Sequence, residues 1–408
     1  MSTPRENAVV VAFVANGLGG PSFLARLPDR QSDLDLSDAA LGLTLVGMAV
    51  GAMVVSPLAG RLVGALGSRR VVVIATVALG ASLWTAGAAP GAGALFAALA
   101  VVGAADAAMD ISMNANGAAF EDRTGRSVMH GFHGAWSLGA LGGAGLAALA
   151  AAAGVSLTVH LAVVGAVIAA AVLATRSGLV ADDALPTSAP AASALPGLGD
   201  GHARTQQREG LARQVRAPIV VLAAATVAGA VVEGGASDWS AIQLERLGVG
   251  TGVSALGYAA FMAGMVGGRF AGDRLTDRFG GPALLRGGMV TVAAGLLVGV
   301  SSANPVAFAV GLFFAGLGAA GFFPLAFSAA ARTPGVAPGS GAATVSLAAR
   351  VGFLVEPVLV GAVADLFGLR WAFVLVAGAA VALAAAAPLV IPAGSGAAAG
   401  AVCDVREA

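Results

Sequence analysis

Residues 103 to 117 read GAADAAMDISMNANG and lie inside a longer apolar segment, from about Ala92 to Phe120. A segment of that length can cross a bilayer as one helix. Asp106, Asp110 and Asn114 follow one another at intervals of four residues, so all three project from one helical face. A carboxylate at membrane depth is costly unless it meets water, a proton or a partner. The pattern favours a water-filled cavity or a protonatable site over two packed, permanently neutral acids or acids tied to arginine on another helix.

The composition of the whole chain indicates a polytopic membrane protein. Of its 408 residues, 58% are hydrophobic and 11% are charged, and the mean hydropathy is +0.87. A soluble protein of this size could not bury so much apolar surface. The formal net charge is zero, which gives no reason to expect a nucleic-acid partner. The single cysteine, Cys403, allows no intramolecular disulfide.

Apolar runs long enough to span a bilayer occur six times before a polar stretch and six times after it. The polar stretch, residues 176–217, contains several prolines and charged side chains, and we expect it to be a flexible cytoplasmic linker. This layout predicts an all-α membrane protein with one six-helix bundle in residues 1–175 and another in residues 218–408, the second followed by a cytoplasmic tail. The predicted spans are 9–27, 39–60, 71–89, 92–120, 130–153, 155–175, 219–237, 252–271, 286–302, 305–330, 341–363 and 371–391.

Arginine placement predicts the orientation. With the N-terminus inside, sixteen of the 22 arginines fall in cytoplasmic segments. Four lie outside, and they are Arg26, Arg30, Arg246 and Arg370. The remaining two, Arg269 and Arg350, lie within spans. This is a strong positive-inside bias, and it predicts cytoplasmic termini in a cell inner membrane. Trp239 and Trp371 would then be aromatic anchors at the outer interface.

An internal repeat connects the two halves. Gly67 and Gly280 are 213 residues apart, and the same offset pairs Arg61 with Arg274. It also pairs the start of the opening stretch, Gly103, with a glycine of span 10. A shared offset in separate regions is evidence for duplication.

The repeat also shows an asymmetry. Asp106 pairs with Ala319 and Asp110 with Phe323, so the acids belong to the first half only. We therefore expect Asp106, Asp110 and Asn114 to share one aqueous space, with aromatic side chains of span 10 opposite.

The turns after spans 2 and 8 resemble the signature loop of the major facilitator superfamily, G-x-x-x-D-R-x-G-x-R-R. Gly64 and Ala65 replace the Asp-Arg pair in the first copy, and Asp273 and Pro282 interrupt the second. The resemblance therefore implies a weakened cytoplasmic gate in the first half. The gating residues that it implies are Gly60, Arg61, Gly67, Arg69, Arg70, Asp273, Arg274, Asp277, Arg278 and Gly280.

Four longer strings resemble the rhizopine-permease-like branch of that superfamily, near the fucose permeases. They are DISMNANG (110–117), HGFHGAWSLG (130–139), EGGASDWS (233–240) and LGYAAFMAGMVGGRFAGDRL (256–275). This resemblance implies uptake of a small polyol- or sugar-like solute together with protons. It also implies that spans 1, 4, 7 and 10 line the cavity.

Other polar residues in the spans are candidates for contact with solute or protons. His133 could relay protons to Asp110, or it could be a packing residue. Arg350 and Glu356 are six residues apart, so we expect each to find a partner on another helix. The full candidate site is Asp106, Asp110, Asn114, Asn16, His133, Trp136, Glu233, Phe323, Arg350 and Glu356.

Glycines of the spans have two interpretations. Those of span 1, next to Asn16 and Pro21, indicate either a bent helix or close helix packing. For the glycines at 47–51, 139–143 and 264–268 we expect close packing.

The function that these features favour is proton-coupled symport of a small polar solute, with Asp110 carrying the proton. Asp106 and Asn114 would then bind solute hydroxyls. The alternatives are a drug/proton antiporter of the same fold and a membrane sensor that binds solute without transporting it. The chain shows no phosphate-binding loop and no metal-ligand spacing, so we expect neither an enzyme nor a cofactor. The expected partners are the solute, protons and the lipid bilayer, and we expect a monomer.

Overall fold

The structure, a computed structural model, describes residues 4–126, 128–181, 201–333 and 338–391. Within these ranges the regular secondary structure is entirely helical and contains no strand. The helices of the first half are α1 (Pro4–Leu24), α2 (Leu27–Asp33), α3 (Asp38–Leu66), α4 (Ser68–Ala88), α5 (Ala92–Thr124), α6 (Met129–Ala152) and α7 (Leu157–Thr175). Those of the second half are α8 (Gly201–Ser237), α9 (Ser240–Arg246), α10 (Thr251–Ser254), α11 (Leu256–Phe279), α12 (Gly281–Ser301), α13 (Pro305–Ala319), α14 (Phe322–Ala331), α15 (Pro338–Phe367) and α16 (Leu369–Val390).

The predicted twelve spans are confirmed. Eleven segments of the described ranges are long and apolar enough to cross a bilayer. The twelfth span is α11, which has 24 residues but is less apolar because charged residues crowd its second half. The end of the bundle that holds Pro4, Gly67 and Val390 is called the termini face below. The end that holds Asp38 and Gly368 is called the far face.

Span 10, predicted as one continuous helix, is broken. α13 ends at Ala319 and α14 begins at Phe322. Pro324 has no backbone N–H to donate to the carbonyl of Ala320, four residues earlier, so the helical ladder cannot run through this point.

The helix bounds repeat with the offset found in the sequence. Adding 213 to the bounds of α2, at 27 and 33, gives those of α9, at 240 and 246. The same shift converts α4, from 68 to 88, into α12, from 281 to 301. Each half is therefore built from the same series of helices.

Two glycines of the signature loops have the same conformation in the two halves. Gly67 joins α3 to α4 with a φ of 88°, and Gly280 joins α11 to α12 with a φ of 78°. A side chain is strained at such positive φ values, so these one-residue turns require glycine. Each glycine also donates its N–H to the helix that it ends, to Val63 O at 2.9 Å and to Thr276 O at 2.8 Å.

Helices approach each other closely at glycines, because glycine has no side chain to separate the two backbones. A Cβ on Gly51 would overlap the carbonyl of Ala100, and one on Gly264 would overlap that of Phe313. α1 is continuous, and its Gly17 lies directly against the carbonyl of Trp136 on α6. Close packing therefore explains Gly17 as well as the glycines for which it was predicted.

The two halves meet where α3 packs on α15 and α6 packs on α11. Gly42 of α3 lies against the carbonyl of Pro357, and Gly361 of α15 lies against that of Asp38. Asp38 also pairs with Arg246 of α9. These contacts lie toward the far face and close it.

The first helix of the second half begins inside the predicted linker, although its membrane-spanning part begins at Ala217. α8 starts at Gly201, so residues 201–217 of the predicted linker are helical. Three of the four prolines in and beside that linker precede this point, and residues 201–217 are rich in alanine, arginine and glutamine, which favour helix. The remainder of the predicted flexible segment, residues 182–200, and the predicted tail, residues 392–408, lie outside the described residues.

Candidate functional site

Asn16 connects three helices of the first half at membrane depth. Its Nδ2 donates to Asp106 Oδ1 on α5 at 2.9 Å. Its Oδ1 accepts from the indole Nε1 of Trp136 on α6 at 2.8 Å. Asn16 is buried, whereas Asp106 and Trp136 are half-buried. The amide of Asn16 therefore donates one hydrogen bond and accepts another, and it fixes the Asp106 carboxylate relative to the indole.

Asp110 and Asn114 continue along the same face of α5. Asn114 Nδ2 donates to Asp110 Oδ1 at 3.0 Å and to the main-chain oxygen of Asp110 at 2.9 Å. Both side chains are half-buried. The i, i+4 spacing thus places an amide donor beside the carboxylate, as the sequence pattern implies.

Arg350 of the second half interacts with these acids over a distance, since the ion pairs closer than 4.0 Å among the described residues do not include it. Its guanidinium on α15 attracts both Asp106 and Asp110 electrostatically. By the repeat offset of 213, Arg350 occupies the position that Ser137 has in the first half. The acid-bearing face of α5 therefore lies within electrostatic range of the second half of the protein.

Glu356 has a different partner. Its side chain is 1% exposed, and its Oε1 accepts from Trp239 Nε1 at 2.9 Å. It lies against Gly234 of α8, where a Cβ would stand 3.0 Å from Glu356 Oε2 and crowd the carboxyl group. Arg350 and Glu356 thus have separate partners on other helices.

Trp239 is not an interfacial anchor. The sequence places it at the outer interface, but the structure buries it completely, with 0% exposure. The indole N–H needs an acceptor when it is buried, and Glu356 supplies one within the second half. The outer-anchor interpretation of this residue was wrong.

Arg269 of α11 links the halves at a second point. Its NH1 donates to Ser137 Oγ on α6 at 2.6 Å. The guanidinium carbon lies 5.5 Å from the centroid of the Trp136 ring, within the range of a cation–π interaction. In its own half, Arg269 attracts the half-buried Glu233 of α8 electrostatically.

The two remaining candidates with rings are Phe323 and His133, and the main-chain oxygen of His133 accepts from Ser137 Oγ at 3.0 Å. Phe323 of α14 stacks on Phe353 with ring centroids 6.1 Å apart. The ring of His133 lies edge-on to Phe13 at 5.4 Å, and His133 is exposed. Neither arrangement by itself assigns a role in solute or proton binding.

Acids outnumber guanidinium groups at membrane depth. Among the described residues of the twelve spans, away from the span ends, there are four carboxyl groups and two guanidinium groups: Asp106, Asp110, Glu233 and Glu356, against Arg269 and Arg350. Unpaired charge is expensive there, so the surplus acids must hold protons or meet a cation.

A family model describes this architecture. The model of the Major Facilitator Superfamily matches residues 8–285 and 239–400 of the chain. This chain belongs to the major facilitator superfamily.

Two relatives align over most of their length. The chain is 30% identical to an uncharacterized MFS-type transporter of Yersinia pestis over 370 residues, which cover 90% of this chain and 91% of the relative. It is 28% identical to the membrane protein MosC of Rhizobium meliloti over 380 residues, covering 92% and 88%. The protein is therefore a multi-pass membrane transporter of this superfamily and not an enzyme.

Solved transporters share the fold. A mutant of the nucleoside transporter NupG superposes with a TM-score of 0.76 at 13% identity, covering 95% of this chain and 100% of that one. A D-xylose-proton symporter superposes with a TM-score of 0.72 at 13% identity, covering 95% and 97%. At such low identity these matches show the major facilitator fold alone.

The signature-loop residues of the superfamily lie on the termini face in both halves. Gly60, Arg61 and Arg70 are exposed in the first copy. In the second copy the charged side chains are exposed, and they are Asp273, Arg274, Asp277 and Arg278. The guanidinium of Arg278 lies over the ring of Phe279 at 5.2 Å. Their role as a gate remains a prediction.

Sequence reasoning missed Arg269 and Ser137 as site residues. An arginine inside a predicted span was the available signal for Arg269, because a guanidinium in the membrane needs a partner. Ser137 gave no signal of its own, since serine is common at helix crossings. Only the packing of α6 on α11 pairs them.

Proposed function

We propose that this transporter is a proton-coupled symporter of a small polar solute, sugar- or polyol-like, that works by alternating access. The surplus of carboxyl groups over guanidinium groups at membrane depth carries the proposal. A neutral solute cannot compensate that surplus, whereas protons can. The closed far face, where the halves meet through α3 on α15 and α6 on α11, fits a cycle in which the halves rock around a central site.

We place the solute beside the polar face of α5. Asp106 is held by Asn16 and retains acceptor capacity, because a carboxylate has about four lone-pair sites. Asn114, two turns further along the helix, offers a second polar group. Hydroxyl groups of a polyol can donate to these acceptors, and such bonds are stronger when the acceptor is charged.

We place the coupled proton on Asp110. Arg350 attracts both Asp106 and Asp110, but one guanidinium can neutralise only one carboxylate. The second carboxyl group of this pair is then most stable with a proton. Asp106 has its position fixed by Asn16 from another helix, whereas the described hydrogen bonds of Asp110 come from its own helix. Asp110 is therefore freer to exchange a proton.

The same proposal includes the orientation. Sixteen arginines on one side of the topology support cytoplasmic termini in a cell inner membrane. The termini face would then be cytoplasmic and the far face external.

The test is transport in proteoliposomes that contain the purified protein. Radiolabelled myo-inositol, D-xylose and uridine serve as probes. Uptake of each probe is measured with a pH gradient that is acidic outside, and then without a gradient. Accumulation of a probe above its external concentration only with the gradient supports symport.

A drug/proton antiporter is the competing interpretation, because surplus acids also suit a cationic drug. Ethidium is the probe for that case. Gradient-driven movement of ethidium against the proton flux, with no accumulation of the polar probes, would overturn the symport proposal.

A further inference from the structure

We propose that Arg269 is a positioning residue that holds the two halves together while the far face is closed. It belongs to α11 of the second half, and its hydrogen-bond partner, Ser137, belongs to α6 of the first half. Its cation–π partner, Trp136, is on the same helix as Ser137. Arg269 therefore binds the first half with a charge-assisted hydrogen bond and a ring contact at once.

A second partner in its own half makes this contact reversible. Glu233 of α8 attracts Arg269, yet the ion pairs closer than 4.0 Å among the described residues do not include these two. The guanidinium thus has neutral partners in the first half and an acid nearby in the second. When α6 separates from α11, the Arg269 guanidinium can pair with Glu233 instead. The buried charge is therefore not left unpaired when the halves move apart.

The contact is also connected to the proposed solute site. Trp136 donates to Asn16 at 2.8 Å, and Asn16 donates to Asp106 at 2.9 Å. The ring that faces Arg269 is therefore held by the residue that positions the Asp106 carboxylate. A change in the hydrogen bonds of Asp106 would reach the contact between the halves through two side chains.

The experiment measures far-face opening by cysteine labelling in nanodiscs. Cys403 is first replaced by serine, and Ala39 is replaced by cysteine. Ala39 lies at the seam between α3 and α15, where a Cβ on Gly361 would stand 3.2 Å from its Cα. Ser32→Cys, at an exposed position of α2, reports maleimide reactivity that is independent of the seam.

Loss of the contact should raise the labelling rate at position 39. We expect a rise of about 10-fold for Arg269→Gln and about threefold for Ser137→Ala, because the lost bond stabilises only the closed conformation. The double variant should label no faster than Arg269→Gln alone, since both changes remove one interaction. Trp136→Phe keeps a ring but not the N–H that binds Asn16, and it should also raise the rate.

Ser112→Ala is the matched control. Among the described residues, the Ser112 hydroxyl donates only to carbonyls of its own helix, Ala108 O at 2.8 Å and Met109 O at 3.1 Å. Its loss should leave labelling at position 39 unchanged. A merely structural role of Arg269 would lower the melting temperature and raise labelling at positions 32 and 39 alike.

Two results would overturn the proposal. One is a labelling rate at position 39 in Ser137→Ala that equals the rate in the protein without this substitution. Ser137→Ala is the smallest of these changes and disturbs the fold least. The other is a double variant whose effect is the product of the single effects. The inference rests on the proposed function only in assuming that the halves move, and labelling uses neither solute nor gradient. A wrong solute or a wrong proton site would therefore leave its outcome unchanged.

Discussion

The main-chain N–H of Asp38 on α3 donates to Asp365 Oδ1 on α15 at 2.8 Å, which fastens the two halves to each other at the far face. The carboxylate of Asp38 meanwhile accepts from Arg246 of α9 and, at 2.7 Å, from Gln31 of α2. Asp38 is 5% exposed, so these contacts are largely removed from water. One aspartate therefore collects contacts from both halves where they close.

The first prediction concerns this far-face closure. Arg246→Ala should speed maleimide labelling of a cysteine at position 39 about two- to fivefold, because a partly exposed ion pair contributes up to about 1 kcal/mol. Arg126→Ala is the control, since its pair with Glu6 lies within the first half. Equal labelling in both variants would show that the ion pair between Asp38 and Arg246 does not hold the far face closed.

The second prediction concerns glycine at the seam between the halves. Gly42→Val should abolish transport while the protein still expresses and folds, because its side chain would overlap the carbonyl of Pro357 and block far-face closure. Gly145→Ala in α6 is the control, since nothing lies within 4 Å of the position that its Cβ would take. Transport at wild-type rate by Gly42→Val would mean that the halves need not approach as closely as α3 and α15 do here.

The third prediction separates the two acids of α5. Asp110→Asn should abolish accumulation driven by a pH gradient yet keep solute exchange, because exchange needs no net proton movement. Asp106→Asn should instead raise the half-saturating concentration of the transported probe roughly 10- to 100-fold, the expected cost of a charge-assisted hydrogen bond. Both are measured in proteoliposomes with and without the gradient. Uphill accumulation by Asp110→Asn would move the proton site to another acid, Glu233 or Glu356.

The fourth prediction concerns the buried acid of the second half. The described residues place no arginine against Glu356, and Trp239 donates to it. Glu356→Gln keeps the acceptor and should shift the melting temperature little. Glu356→Ala leaves the indole N–H unpaired and opens a void, which should cost about 2–4 kcal/mol of stability.

Thermal unfolding in detergent measures these losses. Adding Trp239→Phe to Glu356→Ala should restore part of the lost stability, because the unpaired indole N–H is then removed. Equal losses for Gln and Ala would show that the hydrogen bond with Trp239 does not carry the stability.

Apolar length and periodicity predicted most of the fold. The twelve spans, the six-plus-six layout and the repeat at offset 213 were readable because a bilayer requires long apolar helices and a duplication leaves matching turns. The turn glycines Gly67 and Gly280 were readable too, since their backbone conformation allows little else. The break before Phe322 was missed because a proline near the start of a new helix looks the same in sequence as one inside a span.

The sequence by itself determined which residues carry charge inside the membrane and which face of α5 bears Asp106, Asp110 and Asn114, because helical spacing fixes a face. Only the tertiary structure decided their partners: Arg350 for those acids, Trp239 for Glu356, and Ser137 for Arg269. Each partner comes from another helix. In the two hydrogen-bonded pairs, Trp239–Glu356 and Arg269–Ser137, the partners are at least 117 residues apart in the chain. Periodicity describes one helix at a time, whereas partner choice depends on how helices cross and on where glycine lets their backbones approach.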